Sequence, residues 1–271
     1  MRTEGIKSTS PVVTGDHVLL EDGMIRDIEV RRNYLIRKST NLSKQSHIIA
    51  ANIDMAFLVI TFRLPETPIE FIDRFLVAAE AYRIPVCLVF NKKDLFSSKE
   101  WAQVKQFRRI YRTIGYQTIE TSVKEQIGIN ELRQIFADRV SVIAGLSGVG
   151  KSSLINAVDP GLQLRTGDMS DYHHTGKHTT SFAEMHRLQG GGYIIDTPGI
   201  RAFGLIHIEK EELYHFFPEI FKMSANCVFH NCRHITEPDC AVMKAVETGK
   251  ISKFRYRSYL NMMEDTQTKY R

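Results

Sequence analysis

Long hydrophobic runs are missing from these 271 residues: the longest, around Met55 to Ile60, is strand-sized and far short of the ~18 residues that a membrane-spanning helix needs. The N-terminus, Met1 to Ser10, carries no apolar stretch that would serve as a signal peptide. No membrane partner and a cytoplasmic location are therefore expected. No internal repeat or low-complexity tract is evident. Cysteine is scarce, four in all, and Cys227, Cys232 and Cys240 crowd into fourteen residues. In a reducing compartment such a cluster points to metal before disulfide. The fourth, Cys87, stands alone inside the apolar run VCLVF, where a free, buried thiol is expected. Charge of one sign is also in short supply, the formal net charge being only +5. Lys and Arg exceed Asp and Glu by 8 to 6 over residues 1–47 and by 7 to 3 over 241–271, against 21 to 22 between them. A solvated basic face is the plainer explanation. Because the excess lies outside the middle of the chain, a polyanion held by the two ends is the sharper one.

What is present suits an ordinary globular protein: 43% hydrophobic and 25% charged residues support a real core, in one large domain or two to three modest ones. DHVLL (16–20) and MIRDIEV (24–30) flank Glu21-Asp22-Gly23, a hairpin signal, and NYLIRKS adds a third strand. Three short strands are too few for an independent barrel. From about residue 50, strands alternate with helices. MAFLVI (55–60) and VCLVF (86–90) read as strands buried on both faces. Thr67 and Pro68 open a helix with Ile69, Ile72, Leu76 and Ala79 on one face, Thr67 as its cap. Ser97 and Glu100 form a capping box for a helix to about Thr113. A strand near Gln117–Glu120, a helix near Asn130–Asp138 and a strand VSVIAG (140–145) follow, as in a parallel α/β sheet covered on both faces.

Gly145, Leu146, Ser147, Gly148, Val149, Gly150, Lys151, Ser152 and Ser153 fit the phosphate-binding pattern G-x-x-x-x-G-K-[ST], after a strand and before the helix SSLINAV. Backbone N–H groups of such a loop surround a β-phosphate, Lys151 contacts the β- and γ-phosphates, and Ser152 ligates Mg²⁺. The loop does not choose between ATP and GTP. Asn91, Lys92, Lys93 and Asp94, directly after VCLVF, make that choice. Guanine presents N1–H and its 2-amino group side by side, and the Asp94 carboxylate accepts both. Asn91 holds the loop and helps recognise the base edge, and the Lys92 stem lies over the ring. Adenine would leave the carboxylate unpaired, a loss on the order of 1–3 kcal/mol or more. Thr121, Ser122, Val123 and Lys124 resemble the segment that supports the base, with Ser122 and Lys124 at the nucleotide.

Asp196-Thr197-Pro198-Gly199 follows the strand YIID, about 45 residues after Lys151. Asp196 suits an outer contact to Mg²⁺, and the Gly199 N–H suits the γ-phosphate. Between them Thr175-Gly-Lys-His178-Thr179-Thr180 lies in a polar, His-containing stretch, 163–181. A threonine there completes the Mg²⁺ shell when the γ-phosphate is present, Thr179 and Thr180 both being open choices, unless the stretch is only a flexible surface loop. After Gly199 come Ile200, Arg201 and Ala202, so no glutamine orients the attacking water. His178 is the internal candidate for that catalytic task, a capping or RNA-contacting histidine being the alternative. The base-reading motif precedes the phosphate loop, the reverse of ordinary GTPases. The nucleotide domain is therefore circularly permuted.

Cys227, Cys232, His234 and Cys240 supply three thiolates and an imidazole, a ligand set typical of one closed, structural Zn²⁺ site. His230 is an alternative fourth ligand, and free cysteines without metal are the plainer reading. Residues 241–260 read as helix, and Lys250, Lys253, Phe254, Arg255, Tyr256, Arg257 and Tyr259 interleave basic and aromatic side chains. Such a mixture binds RNA, or else covers a core with its aromatic face.

In the permuted order of these motifs, with SGVGKSS, GKHTTS, DTPGIRAFG and Cys-x4-Cys-x-His-x5-Cys, the chain resembles the RsgA family (YjeQ/YloQ) of circularly permuted bacterial GTPases over essentially its whole length. The resemblance implies an α/β GTPase domain (48–206) between an N-terminal OB-type β domain (1–47) and a C-terminal helical zinc domain (207–271). It implies GTP, GDP and Mg²⁺ as ligands, and the small ribosomal subunit and its rRNA as partners in late subunit maturation. Low intrinsic GTP hydrolysis, strongly stimulated by the subunit, is implied as well, and a monomer is expected. The family's Arg before the loop histidine is Lys177 here, which keeps the charge but loses the planar fork. The N-terminus also departs: an OB-fold needs five strands, and this segment holds only its latter part, as if truncated or late-starting. Two other classes compete with the GTPase: a GTP-dependent RNA-binding scaffold with incidental hydrolysis, and a zinc-dependent nucleic-acid-binding protein with a degenerate nucleotide site. Intact Lys151, Ser152, Asp94 and Asp196 argue against the last.

Overall fold

The structure, a computed structural model, describes residues 11–38, 46–164, 183–196 and 208–264; for residues 37, 38, 46, 47 and 196 it describes the backbone alone. Strands β1 (Val18–Glu21) and β2 (Met24–Ile28) form an antiparallel hairpin. Its turn has positive φ at Asp22 (51°) and Gly23 (74°), the conformation that Asp-Gly accommodates. Strand β3 (Tyr34–Lys38) pairs with β4 (Ser46–Ala51), which the sequence does not announce. Among its described residues the segment thus holds four strands rather than three, and β4 runs across residue 47. Two buried asparagines tie it to the chain beyond: Asn33 donates to the Ile53 carbonyl and accepts from the Ile53 N–H, both at 2.8 Å, and Asn52 accepts from the Arg32 N–H at 2.9 Å.

The central sheet has six strands, in the order β7-β6-β5-β8-β10-β9: β5 (Met55–Ile60), β6 (Val86–Phe90), β7 (Gln117–Glu120), β8 (Val140–Ala144), β9 (Glu184–Arg187) and β10 (Tyr193–Asp196). Five are parallel, and β9 pairs antiparallel at the edge. Continuous apolar runs place strands at the centre because both faces are covered. In β5, Leu58 and Ile60 face one core with Phe75, Leu76 and Phe90, while Phe57 and Val59 face the other with Leu132, Phe136 and Leu154. Burying each large side chain stabilises by about 1.5–3 kcal/mol, more than the roughly 1–2 kcal/mol needed to fix one residue's backbone. Strand β9 escaped sequence reading because it is an edge: Glu184, Met185 and Arg187 are exposed, so no buried pattern marks it.

Helices α1 (Ile69–Ala81) and α2 (Ser98–Ile114) cover the first core, α3 (Ile129–Phe136) and α4 (Lys151–Val158) the second. The capping box of α2 is present. Ser97 accepts from the Glu100 N–H, and the backbone and side chain of Ser97, with Arg63, hold the Glu100 carboxyl down at about 2. Thr67 does not cap α1. Pro68 is the N-cap, and the Thr67 hydroxyl accepts instead from the Thr61 N–H at 3.1 Å, closing the loop after β5.

The C-terminal unit comprises a 3-10 helix (Lys210–Phe216), α5 (Pro218–Ser224), α6 (Ala241–Glu247) and α7 (Lys253–Glu264). The single helix expected over 241–260 is two: the chain turns at Thr248 and at Gly249, whose φ is 74°. Helix α1 serves two cores, since its Val77 joins Leu213, Phe217, Ile220 and Tyr259 of this unit.

Candidate functional site

The nucleotide motifs converge because parallel strands end at one edge of the sheet. Asn91 to Asp94 follow β6, Thr121 and Ser122 follow β7, the phosphate loop follows β8, and Asp196 is the last residue of β10, level with Ile143 of β8. From β5 the chain builds outward through β6 and β7, then returns to place β8 on the other side of β5. A crevice forms at such a reversal, beyond the carboxyl ends of the strands.

Asn91 joins the two loops. Only 3% exposed, it donates from Nδ2 to the Val149 carbonyl of the phosphate loop at 2.9 Å and accepts from the Thr121 hydroxyl at 2.9 Å. Gly150, at φ 95°, lies so close that a Cβ there would meet Asn91 Nδ2 at 2.6 Å. Ser122 donates to Asp94 Oδ1 at 2.6 Å and so aims the carboxylate, and the Lys93 N–H donates to the Thr121 carbonyl at 3.1 Å, tying the two loops together. Lys92, in the left-handed region, donates to the Gly148 carbonyl at 2.7 Å and also reaches the Leu64 carbonyl. Burial lowers its pKa, opposed by Asp94. Lys151 donates to the carbonyls of Gly145 and Leu146 at 3.0 and 2.9 Å. Leu146, Ser152 and Ser153 are half-buried, and Ser147 is exposed.

Two expected members stand apart. The Lys93 ammonium turns to Glu120, 3.4 Å away and beneath Trp101, and Lys124 is exposed. His178, Thr179, Thr180 and Gly199 lie outside the described residues, as does the side chain of Asp196. Thr121 was legible only as part of a segment; its bond to Asn91 is what the fold adds.

Cys227, Cys232, His234 and Cys240 come together with their ligand atoms within 4.8 Å of one another. Cys227 Sγ lies 3.9 Å from Cys240 Sγ, and His234 Nδ1 lies 3.6 and 3.5 Å from Cys227 and Cys240. A tetrahedral ion with bonds of ~2.3 Å to sulfur and ~2.05 Å to nitrogen requires edges of about 3.8 and 3.5 Å. The donor set therefore fits a metal of that size. His230 is exposed and outside the cluster. Burial pushes Cys232 up to about 12 and Cys240 upward, and it lowers His234, so it favours the neutral forms of these three. A divalent cation reverses that preference for the thiols. Glu237 braces the loop. Burial would raise its carboxyl, but the backbone N–H groups of Ile235, Arg233 and Thr236 hold it near about 2.

The basic and aromatic tail is a core element rather than a base-stacking surface. Arg255 and Tyr259 are 0% exposed; the Tyr256 and Tyr259 hydroxyls donate to the carbonyls of His234 and Arg233 at 2.7 and 2.6 Å. Phe254 stacks on Phe107 of α2 at 5.0 Å. Only Lys250, Lys253 and Arg257 of this set are exposed. Alternation of charge and ring in the sequence cannot show that the helix turns its rings inward.

A parallel sheet with phosphate and guanine motifs in exchanged order, followed by a helical unit with a Cys-Cys-His-Cys cluster that could hold a metal, defines a circularly permuted GTPase. The family model described as RsgA GTPase matches residues 28–206. A relative from Bacteroides thetaiotaomicron, named small ribosomal subunit biogenesis GTPase RsgA 2, is 51% identical over 100% of this chain and 89% of its own length. Another from Porphyromonas gingivalis, named small ribosomal subunit biogenesis GTPase RsgA, is 47% identical over 98% of this chain and 87% of its own. Among solved structures, YjeQ from Thermotoga maritima superposes with a TM-score of 0.78 at 36% identity, covering 96% of this chain and 86% of that one. YloQ, described as a circularly permuted GTPase, gives 0.77 at 33%, covering 100% and 87%. The chain belongs to the RsgA GTPase family and is a GTP-hydrolysing enzyme.

Proposed function

We propose that this chain binds GTP at the carboxyl edge of its sheet and hydrolyses it to assist late maturation of the small ribosomal subunit, with the subunit stimulating hydrolysis. The observation that carries the reading is Asn91, which couples the guanine loop to the phosphate loop through Val149 and Thr121. Asp94, aimed by Ser122, reads the guanine edge with the Lys92 stem beside it; Lys93 and Lys124 shape the loop from outside the pocket. Gly145 to Ser153 enclose the phosphates, and the Gly199 N–H meets the γ-phosphate. Ser152, Asp196 and one of Thr179 and Thr180 hold Mg²⁺, which supplies charge neutralisation at the phosphates when bound. His178 positions the attacking water. The chain divides near residues 47 and 206 into a β unit, a nucleotide unit and a metal unit, and it acts as a monomer on rRNA. A place in the cytoplasm fits this role; among the described residues no helix is long and apolar enough to cross a membrane.

The test is steady-state GTP hydrolysis with and without purified small subunits, with ATP as control. GTP-specific stimulation is expected, and its loss in His178→Ala with GTP binding retained. A rate indifferent to subunits sinks the proposal, and an unaltered His178→Ala sinks the role of that histidine.

The metal is zinc, one per chain, and structural, because four protein ligands leave no open position. Elemental analysis of the purified chain should give about one zinc, and Cys240→Ser should lose it. Removal by a strong chelator should cost several kcal/mol of stability, since structural zinc binds with roughly 10–16 kcal/mol in isolated fingers. Hydrogen exchange should accelerate in 225–264 first; unchanged protection there would exclude a structural ion.

A further inference from the structure

Counting charge along the chain assigns the basic excess to the ends, yet a dense run of cations also lies on α2, in the middle. That helix carries Lys99, Lys105, Arg108, Arg109 and Arg112 against the single acid Glu100. Four of them, Lys105, Arg108, Arg109 and Arg112, line an open groove of about 620 Å³ with Thr113 and Glu120, beside the edge strand β7. Positions three and four apart share one helix face, so these cations form a stripe. The rise of ~1.5 Å per residue separates Lys105 and Arg109 by about 6 Å along the axis. That interval is close to the spacing of successive phosphates on a nucleic acid strand.

Of the four cations in the stripe, one is held by a carboxylate and three are left unneutralised. Arg108 is the fixed wall: it donates to the Thr118 hydroxyl at 2.7 Å and to the Thr118 carbonyl at 3.1 Å, and it pairs with Glu120. Lys105, Arg109 and Arg112 are exposed and have no side-chain partner among the described residues. Rings that would stack on unpaired bases are withheld, since Trp101 and Tyr111 are 4% and 0% exposed and Phe107 packs against Phe254. Charge without stacking recognises phosphates and not bases.

We propose that the α2 groove is a docking surface for the phosphodiester backbone of double-helical RNA, bound without regard to sequence. The proposal deepens the small-subunit reading and rests on it for the choice of RNA. Arg108 is unsuitable as a probe because its partner Glu120 also bonds Trp101 Nε1 at 2.9 Å and faces Lys93, next to the guanine loop. The three exposed cations touch none of that machinery.

The experiment compares the full chain with the triple variant Lys105→Gln, Arg109→Gln, Arg112→Gln. Fluorescence anisotropy with a labelled RNA duplex of about 16 base pairs is followed across a series of KCl concentrations. Basal GTP hydrolysis and subunit-stimulated hydrolysis are measured in parallel. Each phosphate contact contributes about 0.9 to the slope of log affinity against log salt, so losing three should flatten it by roughly 2–3 and weaken low-salt binding at least tenfold. Basal hydrolysis should not change. Equal affinity and slope in the two chains overturn the proposal, as does failure of the parent chain to bind the duplex. Loss of subunit stimulation with duplex binding intact also overturns it, by assigning the surface to a ribosomal protein. If subunits never stimulate the parent chain, the functional reading fails, while the duplex titration still decides the groove.

Discussion

Replacing Arg255 with methionine should lower the unfolding free energy by about 3–5 kcal/mol, the usual cost of stranding a buried charge. The Arg255 side chain is 0% exposed, and its NH1 donates to Asp73 of α1 at 2.7 Å, a carboxylate that is itself 0% exposed. Its Nε donates to Glu219 of α5 at 2.7 Å. The Tyr111 hydroxyl of α2 donates to the same Asp73 oxygen at 2.8 Å. The guanidinium also lies over the Phe217 ring at 4.6 Å. Burial disfavours the charge on Arg255, but Asp73 and Glu219 outweigh it and raise its pKa. Methionine would fill the space and leave both carboxylates without a counter-charge. The remedy is specific: adding Asp73→Leu and Glu219→Met to Arg255→Met should restore much of the stability, because an apolar replacement of a whole buried cluster is often neutral. Urea unfolding of the single and triple variants checks both statements. A single variant within 1 kcal/mol of the parent, on the order of an exposed pair, would mean that the network does not join the C-terminal unit to the GTPase sheet. Since α7 packs on α1 and α2, loosening it should also increase hydrogen exchange along both.

Asp94→Asn should reduce GTP affinity on the order of 10²–10⁴-fold, because a site built to hydrogen-bond a base edge rejects a mismatch strongly. In the proposed site the Asp94 carboxylate accepts from guanine N1–H and the 2-amino group. An amide keeps one acceptor and sets an NH₂ against the amino group, leaving buried donors unpaired at about 1–3 kcal/mol each. Xanthine carries a carbonyl where guanine carries that amino group, so the Asp94→Asn variant is expected to bind xanthosine triphosphate better than GTP. Ser122→Ala, which removes the 2.6 Å bond that aims the carboxylate, should cost only about 0.5–1.5 kcal/mol. Titration with fluorescent GTP and with unlabelled xanthosine triphosphate as competitor measures both. GTP affinity within threefold of the parent in Asp94→Asn would remove Asp94 from the base site.

Some of this architecture is local and was legible as such. The capping box of Ser97 and Glu100, the Asp22-Gly23 turn and the apolar strands Met55–Ile60 and Val86–Phe90 each depend on neighbours within a few residues. The Cys-Cys-His-Cys cluster and the order of the nucleotide motifs were legible for the same reason: ligand type and spacing are written along the chain. Strand β4 was not, because its residues owe their extended form to pairing with β3 and to the bonds of Asn33 and Asn52. Thr67 looked like a cap and became the acceptor for Thr61, since a loop closing on a buried strand must satisfy that N–H first.

The sequence by itself determined the family, the permuted order of the nucleotide motifs and the Cys-Cys-His-Cys set that could hold a metal, since each rests on chemistry carried by residue type at fixed spacing. Only the tertiary structure decided that Asn91 braces the phosphate loop, that Lys93 turns away to Glu120, and that Arg255 is buried rather than offered to RNA. It likewise decided that Lys105, Arg109 and Arg112 of α2 stand clear around an open groove. The reason is distance along the chain: Asp73 and Arg255 are separated by 182 residues, and Asn91 and Val149 by 58. Whether a charged side chain meets a counter-charge or solvent is set by which elements the fold brings beside it, and periodicity along one segment contains no record of that.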